Sequence, residues 1–459
     1  MRSLGVAELR SAAFVIAMVS VVGGGCGGGT SSPTPAPTVT ATSTPEVTST
    51  PGPTPSAVPN PFTIATGLAP VARPAAAFGA GCYLTTFSLQ GAGDARDLYG
   101  VRLAAGGGVI DEAPLLLSGL GDGSFLDPAD ASYGGAAIGF DGSGFGVFFG
   151  GTGSVRDVLA PGQMVGFASV PPVGAPLRPA AEVDTQASFG MAQTAIRGVS
   201  GASSFAVGFA GLYDRESGMI GFPFTLGTLD RATVVVDGGT VDVRGPFVLA
   251  GGARTKILID SAGGGGIATR GADAFAAWTQ VEVNVAPPAP HVESATLDGA
   301  LLTPLGLTYV PLAATTTTTG GTVVASDGLE FLVVWSAAST QDGTSTNEIR
   351  AIRYRPGSGE SPALVTPAGG FVVADGDAAK SLKGVAFAAG TYLVAWLEAG
   401  SVRGARIAED GTTPAPFVID AGPVEDAALT GDGERFLAVL ERANGARVDL
   451  LGLFVDASD

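Results

Sequence analysis

Histidine occurs once in this 459-residue chain, cysteine twice, and charged residues make up only 14%. Each scarcity removes a class of chemistry. A Ser-His-Asp triad or a Cys-His pair has to recruit His291, and its surroundings, "PAPHVESATLD", carry neither partner in a motif. His291 therefore reads as an ordinary strand residue. Cys26 and Cys82 are too few for a disulfide framework or a four-ligand zinc site. Lysine stands only at Lys256, Lys380 and Lys383, and acidic residues exceed basic ones by 42 − 24 = 18. A net charge of −18 leaves no basic face for phosphates, so no nucleic-acid partner is expected. The glycine run 263–266 lacks the strand-loop-helix setting and the following Lys-Ser/Thr of a phosphate loop. Asp122, Asp127 and Asp130 share one loop, "GDGSFLDPADASYG", but their spacing is not that of an EF-hand. No cofactor and no metal are expected.

Long apolar runs are also scarce. The one near the start, "SAAFVIAMVSVV" (11–22), is too short to span a bilayer comfortably and has the length of a signal-peptide core. Arg2 and Arg10 precede it, and "GGGCGGG" follows, with Gly25 before Cys26. This is similar to the bacterial lipoprotein signal, with Gly23 where that pattern has Leu. The resemblance implies that residues 1–25 are removed and that Cys26 is the lipidated first residue, anchored in the bacterial cell envelope, at the outer membrane or the cell surface. Several acyl chains on one Cys anchor stably, at about 0.8 kcal/mol per buried CH₂. An ordinary secretory signal cut nearby would instead leave a secreted chain. Residues 26–61 then form a stalk. Proline recurs every few residues with Thr and Ser between, which stops helix and sheet alike. Such a segment extends at about 3.1 Å per residue, a reach of roughly 90 Å.

What the chain has in abundance is glycine, 71 residues, within a composition that is 46% apolar. With many short apolar runs, that points to an all-β domain over 62–459. A four-part unit recurs there. In the late copy the parts are "KGVAFAAG" (383–390), "TYLVAW" (391–396), "SVRGARIAEDG" (401–411) and "APFVIDAG" (415–422). An early copy reads "PAAAFGAG" (74–81), "CYLTTF" (82–87), "DLYGVRLAAGG" (97–107) and "APLLLSG" (113–119). The first part is small and apolar, as a crowded inner strand requires, and ends in a Gly turn, often Asp-Gly as in "FDGSG" (140–144). The second is apolar throughout, as for a strand covered on both faces.

That second part recurs seven times: "CYLTTF", "GFGVFF" (144–149), "SFAVGF" (204–209), "AFAAW" (274–278), "EFLVVW" (330–335), "TYLVAW" and "RFLAVL" (435–440). The reading is a single β-propeller of seven four-stranded blades, with six or eight as the other counts, because residues 240–264 fit no unit. The last unit stops at Asp459 without a fourth strand, whereas "FTIATG" (62–67) is a fourth strand without a unit. The N-terminal strand is expected to complete the last blade and close the ring. "ASDGLEFLVVW" (325–335) and "VRGARIAEDG" (402–411) resemble the repeats of bacterial secreted and lipoprotein β-propellers. These motifs specify blades, not an activity.

The chemistry is faint. There is no sialidase-type Asp box, no quinone-propeller Trp motif and no kelch double-Gly signature. Cys82 opens a buried strand and reads as a small core residue. The densest polar loop cluster is Tyr213, Asp214, Arg215 and Glu216. The expectation is a monomeric, non-enzymatic propeller, lipid-tethered to a membrane and presenting loops to a protein or glycan. The alternatives are an extracytoplasmic polysaccharide hydrolase or lyase using loop carboxylates, and a structural envelope protein.

Overall fold

The computed structural model describes residues 60–457 apart from 69–73, 91–95, 120–125, 127–130, 155–160, 176, 188–194, 202–204, 212–227, 238–239, 252–255, 258–265, 272, 285–290, 304–305, 316–317, 342–343, 358–362, 365–368, 409–410 and 414. Every regular element there is a strand. Each quoted second part forms the second strand of an up-and-down meander. In the late copy Lys380–Ala388, Thr391–Glu398, Ser401–Ala408 and Phe417–Asp420 pair in sequence order.

The strands form six hydrogen-bonded sheets rather than the seven expected from the repeats. The correction arises in the first two meanders, which share one eight-stranded sheet. The outer strand of the first is only Leu115–Leu116, paired with Tyr99 and Gly100. The start of Arg96–Ala104 is thus left open, and Arg96 pairs in parallel with Ser132 of the next meander. The Ser88 hydroxyl reinforces the join by donating to the Tyr133 carbonyl at 2.9 Å. The segment 240–264, which fitted no unit, supplies Thr240–Gly251 as the outer strand of its own meander. It also supplies Lys256–Ile257, which pairs with Glu282 and Val281 of the next.

The ring closes as the orphan strand suggested. Phe62–Leu68 pairs antiparallel with Arg447–Asp456, making the order of the last sheet N-terminal strand, third, second, first. The innermost strands lie side by side around an axis, and the last, Val424–Gly431, lies against the first, Ala75–Gly79. Close approach explains their small residues. A Cβ on Gly266 would come within 2.4 Å of the Val324 backbone nitrogen, and one on Gly431 within 2.8 Å of the Phe387 carbonyl.

The core is layered between sheets. Phe331 to Trp335, and Leu393 with Val394 and Trp396, are fully buried because a sheet covers each face of their strand. Each such large side chain contributes about 1.5–3 kcal/mol on burial. The turns between first and second strands gather on one face of the ring. There Asp141, Asp327 and Asp432 each accept backbone N–H bonds from residues two and three further on, which fixes the hairpin. The second-to-third turns and the connections between units gather on the opposite, loop face. Near that face the inner strands carry register shifts: Gly134/Ala137, Leu382/Gly384 and Val424/Asp426 among them. Bulges of this kind re-aim side chains.

Candidate active site

Near the loop face, the last unit sets two carboxyl groups opposite each other. Asp426 lies on Val424–Gly431 and Glu441 on Arg435–Asn444, and the two are direct antiparallel partners. Direct partners project from the same side of the sheet with Cβ atoms about 4.5–5.5 Å apart. The register shift between Val424 and Asp426 brings this acid, not its neighbour Glu425, opposite Glu441. The preceding unit adds a cation: Lys383, on its inner strand, places Nζ 2.7 Å from Asp426 Oδ1.

Glu441 is 6% exposed. Burial, and then the charges of Asp426 and Glu425, push its carboxyl up to about 7, while Lys383 opposes them. The cause is elementary. Two facing carboxylates resist joint ionisation, and one of them owns a lysine. Glu441, the buried member without a lysine, is the one whose carboxyl is pushed up. A carboxyl that holds its proton to near neutrality is matched to proton donation there.

The surrounding cations are already committed. Glu398 accepts from Trp396 Nε1 at 2.9 Å and from Arg403 at 3.2 Å, and lies 3.9 Å from Lys380 Nζ. Lys380 also donates to the Asn347 and Ala378 carbonyls. Arg442 grips both oxygens of Asp420, at 2.8 and 2.6 Å. A cavity of about 240 Å³ runs between the inner strands, and Lys383, the ion-pair partner of Asp426, is one of its lining residues.

The residues singled out in the sequence lie elsewhere. His291 opens the strand His291–Thr303, its backbone paired with Asn284. Cys82 is buried and donates to the Gly79 carbonyl at 3.5 Å. Burial raises its thiol pKa, so it is an unreactive core residue. Cys26, Asp122, Asp127, Asp130 and Tyr213 to Glu216 fall outside the described residues. Among the described residues, no group of three His, Cys, Asp or Glu side chains is placed to hold a metal. The facing carboxyls described here lie on strands, and the acidic loops 120–130 and 213–216 fall mostly outside the described residues. A signal for Glu441 was present: five residues after the first aromatic of the other second strands stand Ser88, Gly150, Ala210, Gln280, Ser336 and Leu397, but here an acid.

No family model and no curated protein matches the sequence. Solved structures align with most of the chain at low identity. A polysaccharide lyase, Uly1, is 9% identical with a TM-score of 0.47, over 85% of this chain and 91% of that one. The Hadza microbial sialidase Hz136 is 8% identical with a TM-score of 0.43, over 84% of this chain and 65% of its own. A neuraminidase-like protein of subtype N10 from a little yellow-shouldered bat virus of Guatemala is 10% identical, TM-score 0.39, over 87% and 99%. The chain spans less than two thirds of that microbial sialidase, and 55% of a Trypanosoma rangeli sialidase. Against the expectation of a non-enzymatic module, the solved structures it is similar to include sialidases and a polysaccharide lyase.

Proposed function

We propose that this chain is an extracytoplasmic enzyme acting on polysaccharide, a hydrolase or lyase in which Glu441 is the general acid and Asp426 the ionised partner. The carrying observation is the pair itself: Glu441, buried, faces Asp426, whose Oδ1 is ion-paired with Lys383. Glycosidic cleavage needs a proton for the departing oxygen and a carboxylate acting on the same sugar. Elimination needs the same two proton-transfer roles. Both fit a site with a protonated and an ionised carboxyl on adjacent strands.

The test is a polysaccharide panel assayed for reducing ends and for unsaturated products. Glu441→Gln should lower turnover by about 10²–10⁴-fold, the range of a lost general acid. Wild-type activity should fall as pH rises through about 7. Binding without turnover, or full activity in Glu441→Gln, would overturn the reading. The envelope location belongs to the same proposal, resting on the lipoprotein-like signal and Cys26. Mass spectrometry of the mature N-terminus, wild type against Cys26→Ala, decides between an acylated and a free chain.

A further inference from the structure

Two neighbouring turns on the hairpin face present apolar side chains to solvent. Strand direction alternates within a unit, so the third-to-fourth turns reach this face together with the first hairpins. In the first unit that turn is 105–110, "AGGGVI", where Val109 is 46% and Ile110 48% exposed. In the second it is 171–175, "PPVGA", where Val173 is 85% exposed. Arg102 joins the two. Its Nη1 donates to the Pro171 carbonyl at 3.0 Å, and its Nε donates to Asp111 at 3.0 Å within a buried ion pair. Arg435 donates to the Ala105 carbonyl and is ion-paired with Asp432 at 3.3 Å. The first turn is closed by backbone bonds from Gly107 to Ala104 and from Ala104 to Gly108, both at 2.8 Å. The tips are therefore held in place, and the two arginines that hold them are spent on acids. No charged residue occurs within 103–110 or 170–175, and Glu112 is exposed at the margin.

The chain enters the fold at the same place. Arg447–Asp456 runs to the hairpin face, where Asp456 pairs with Arg435. Phe62–Leu68 lies antiparallel to it, so its first residue arrives from that face. The Phe62 ring lies on the first turn, since a Cβ on Gly107 would meet it at 3.0 Å. Asn60 and Pro61 are exposed. Residues 1–59, Cys26 among them, precede this point.

We infer that the ledge formed by Val109, Ile110 and Val173 rests on the surface of the bilayer to which the chain is tethered, so that the hairpin face lies toward the lipid and the face carrying Asp426 and Glu441 points away from it. The tether itself rests on the lipoprotein-like reading of Cys26. Exposed apolar groups with a polar margin mark contact sites, and apolar side chains free of charge enter the boundary between headgroups and acyl chains. A stable protein interface needs about 1,000 Å² or more of complementary surface, which three side chains on two turns do not supply. A bilayer asks for no complementary shape. An anchor in the same chain makes the second contact intramolecular, so a few side chains suffice. The net charge of −18 limits the surface to lipid without net negative charge.

The test places the full chain on phosphatidylcholine vesicles, with an environment-sensitive nitrobenzoxadiazole label on Ile110→Cys, on Val173→Cys or, as a control on the outer rim, on Val418→Cys. Cys82 is buried and stays unlabelled. Each variant is made with Cys26 in place and with Cys26→Ala, and mass spectrometry reports whether Cys26 is acylated. Labels at 110 and 173 should shift to the blue and lose iodide quenching on vesicles, and the label at 418 should do neither. Val173→Asp should restore quenching at 110, and Cys26→Ala should need more lipid for the same shift. Ledge labels that iodide still quenches overturn the inference; if acylated Cys26 nonetheless holds the chain on vesicles, the tether stands. An equal shift at 418 means general adsorption and overturns it. A shift at 110 that grows with protein concentration and needs no vesicles assigns the ledge to a second copy and overturns it. Shifts at 110 and 173 in a chain with no acyl group on Cys26 keep the ledge and remove the tether.

Discussion

Tyr83 Oη donates a hydrogen bond to Asp432 Oδ2 at 2.6 Å, joining residues 349 positions apart. Tyr83 is fully buried in the first unit, and Asp432 belongs to the first hairpin of the last. The bond is a polar rivet across the closure of the ring, set beside the strand exchange of Phe62–Leu68. Tyr83→Phe keeps the ring packing and deletes the bond, leaving an acid that has lost one partner. The expected loss is about 1–3 kcal/mol, read by urea denaturation.

Acid should weaken the same rivet. Burial works against ionising Asp432, but the Tyr83 hydroxyl, the Arg435 and Glu434 backbone N–H groups and the Arg435 side chain outweigh it and hold its pKa below the ordinary 3.8. A depressed folded-state pKa means stability that is present above pH 3.8 and lost as pH falls below it toward the folded value. Asp432→Asn should be less stable than wild type at pH 6, and the gap should narrow below pH 3.8.

Glu441 carries the opposite sign. Its carboxyl is raised from 4.5 to about 7 in the fold. Its contribution is therefore full below pH 4.5 and is lost as pH rises through about 7. Glu441→Gln removes that loss. At pH 8 the variant should match or exceed wild type by about 1–3 kcal/mol while its activity falls. Melting curves at pH 5 and pH 8 check this, and they separate a carboxyl kept for function from one kept for stability.

Glu330 is 1% exposed and bonds both Arg353 and Arg355, the latter at 3.0 Å. Glu330→Ala removes the carboxylate the two guanidiniums share, in a setting where Arg353 is itself buried. Truncating one side of a buried pair costs about 3–5 kcal/mol. A loss of that size is expected in urea denaturation, with activity per folded molecule unchanged.

The strand exchange has its own weak point. Gly452 pairs with Phe62, and a Cβ there would come within 2.2 Å of the Phe62 ring. Phe62 also packs on Phe454, centres 5.3 Å apart. Gly452→Ala should push that ring aside and cost about 1–3 kcal/mol. Phe62→Ala combined with Gly452→Ala should recover part of the overlap cost, measured as a double-mutant cycle.

The repeats, their four-part order and the exchanged N-terminal strand were legible because each is local. An apolar run such as "EFLVVW" dictates a strand covered on both faces, and "FTIATG" is recognisable as a fourth strand whatever it pairs with. The sheet count was not legible, because it turned on how much outer strand the first unit keeps: Leu115–Leu116 is short enough to leave Arg96 open to Ser132. The site was not legible for a related reason. Asp426 and Glu441 are unremarkable acids until a one-residue register shift sets them face to face, and Lys383 joins them only when neighbouring units stack. Sequence determined the strands, through composition and periodicity; tertiary structure decided which charges meet, because pairing register and unit stacking fix distances that no linear spacing encodes.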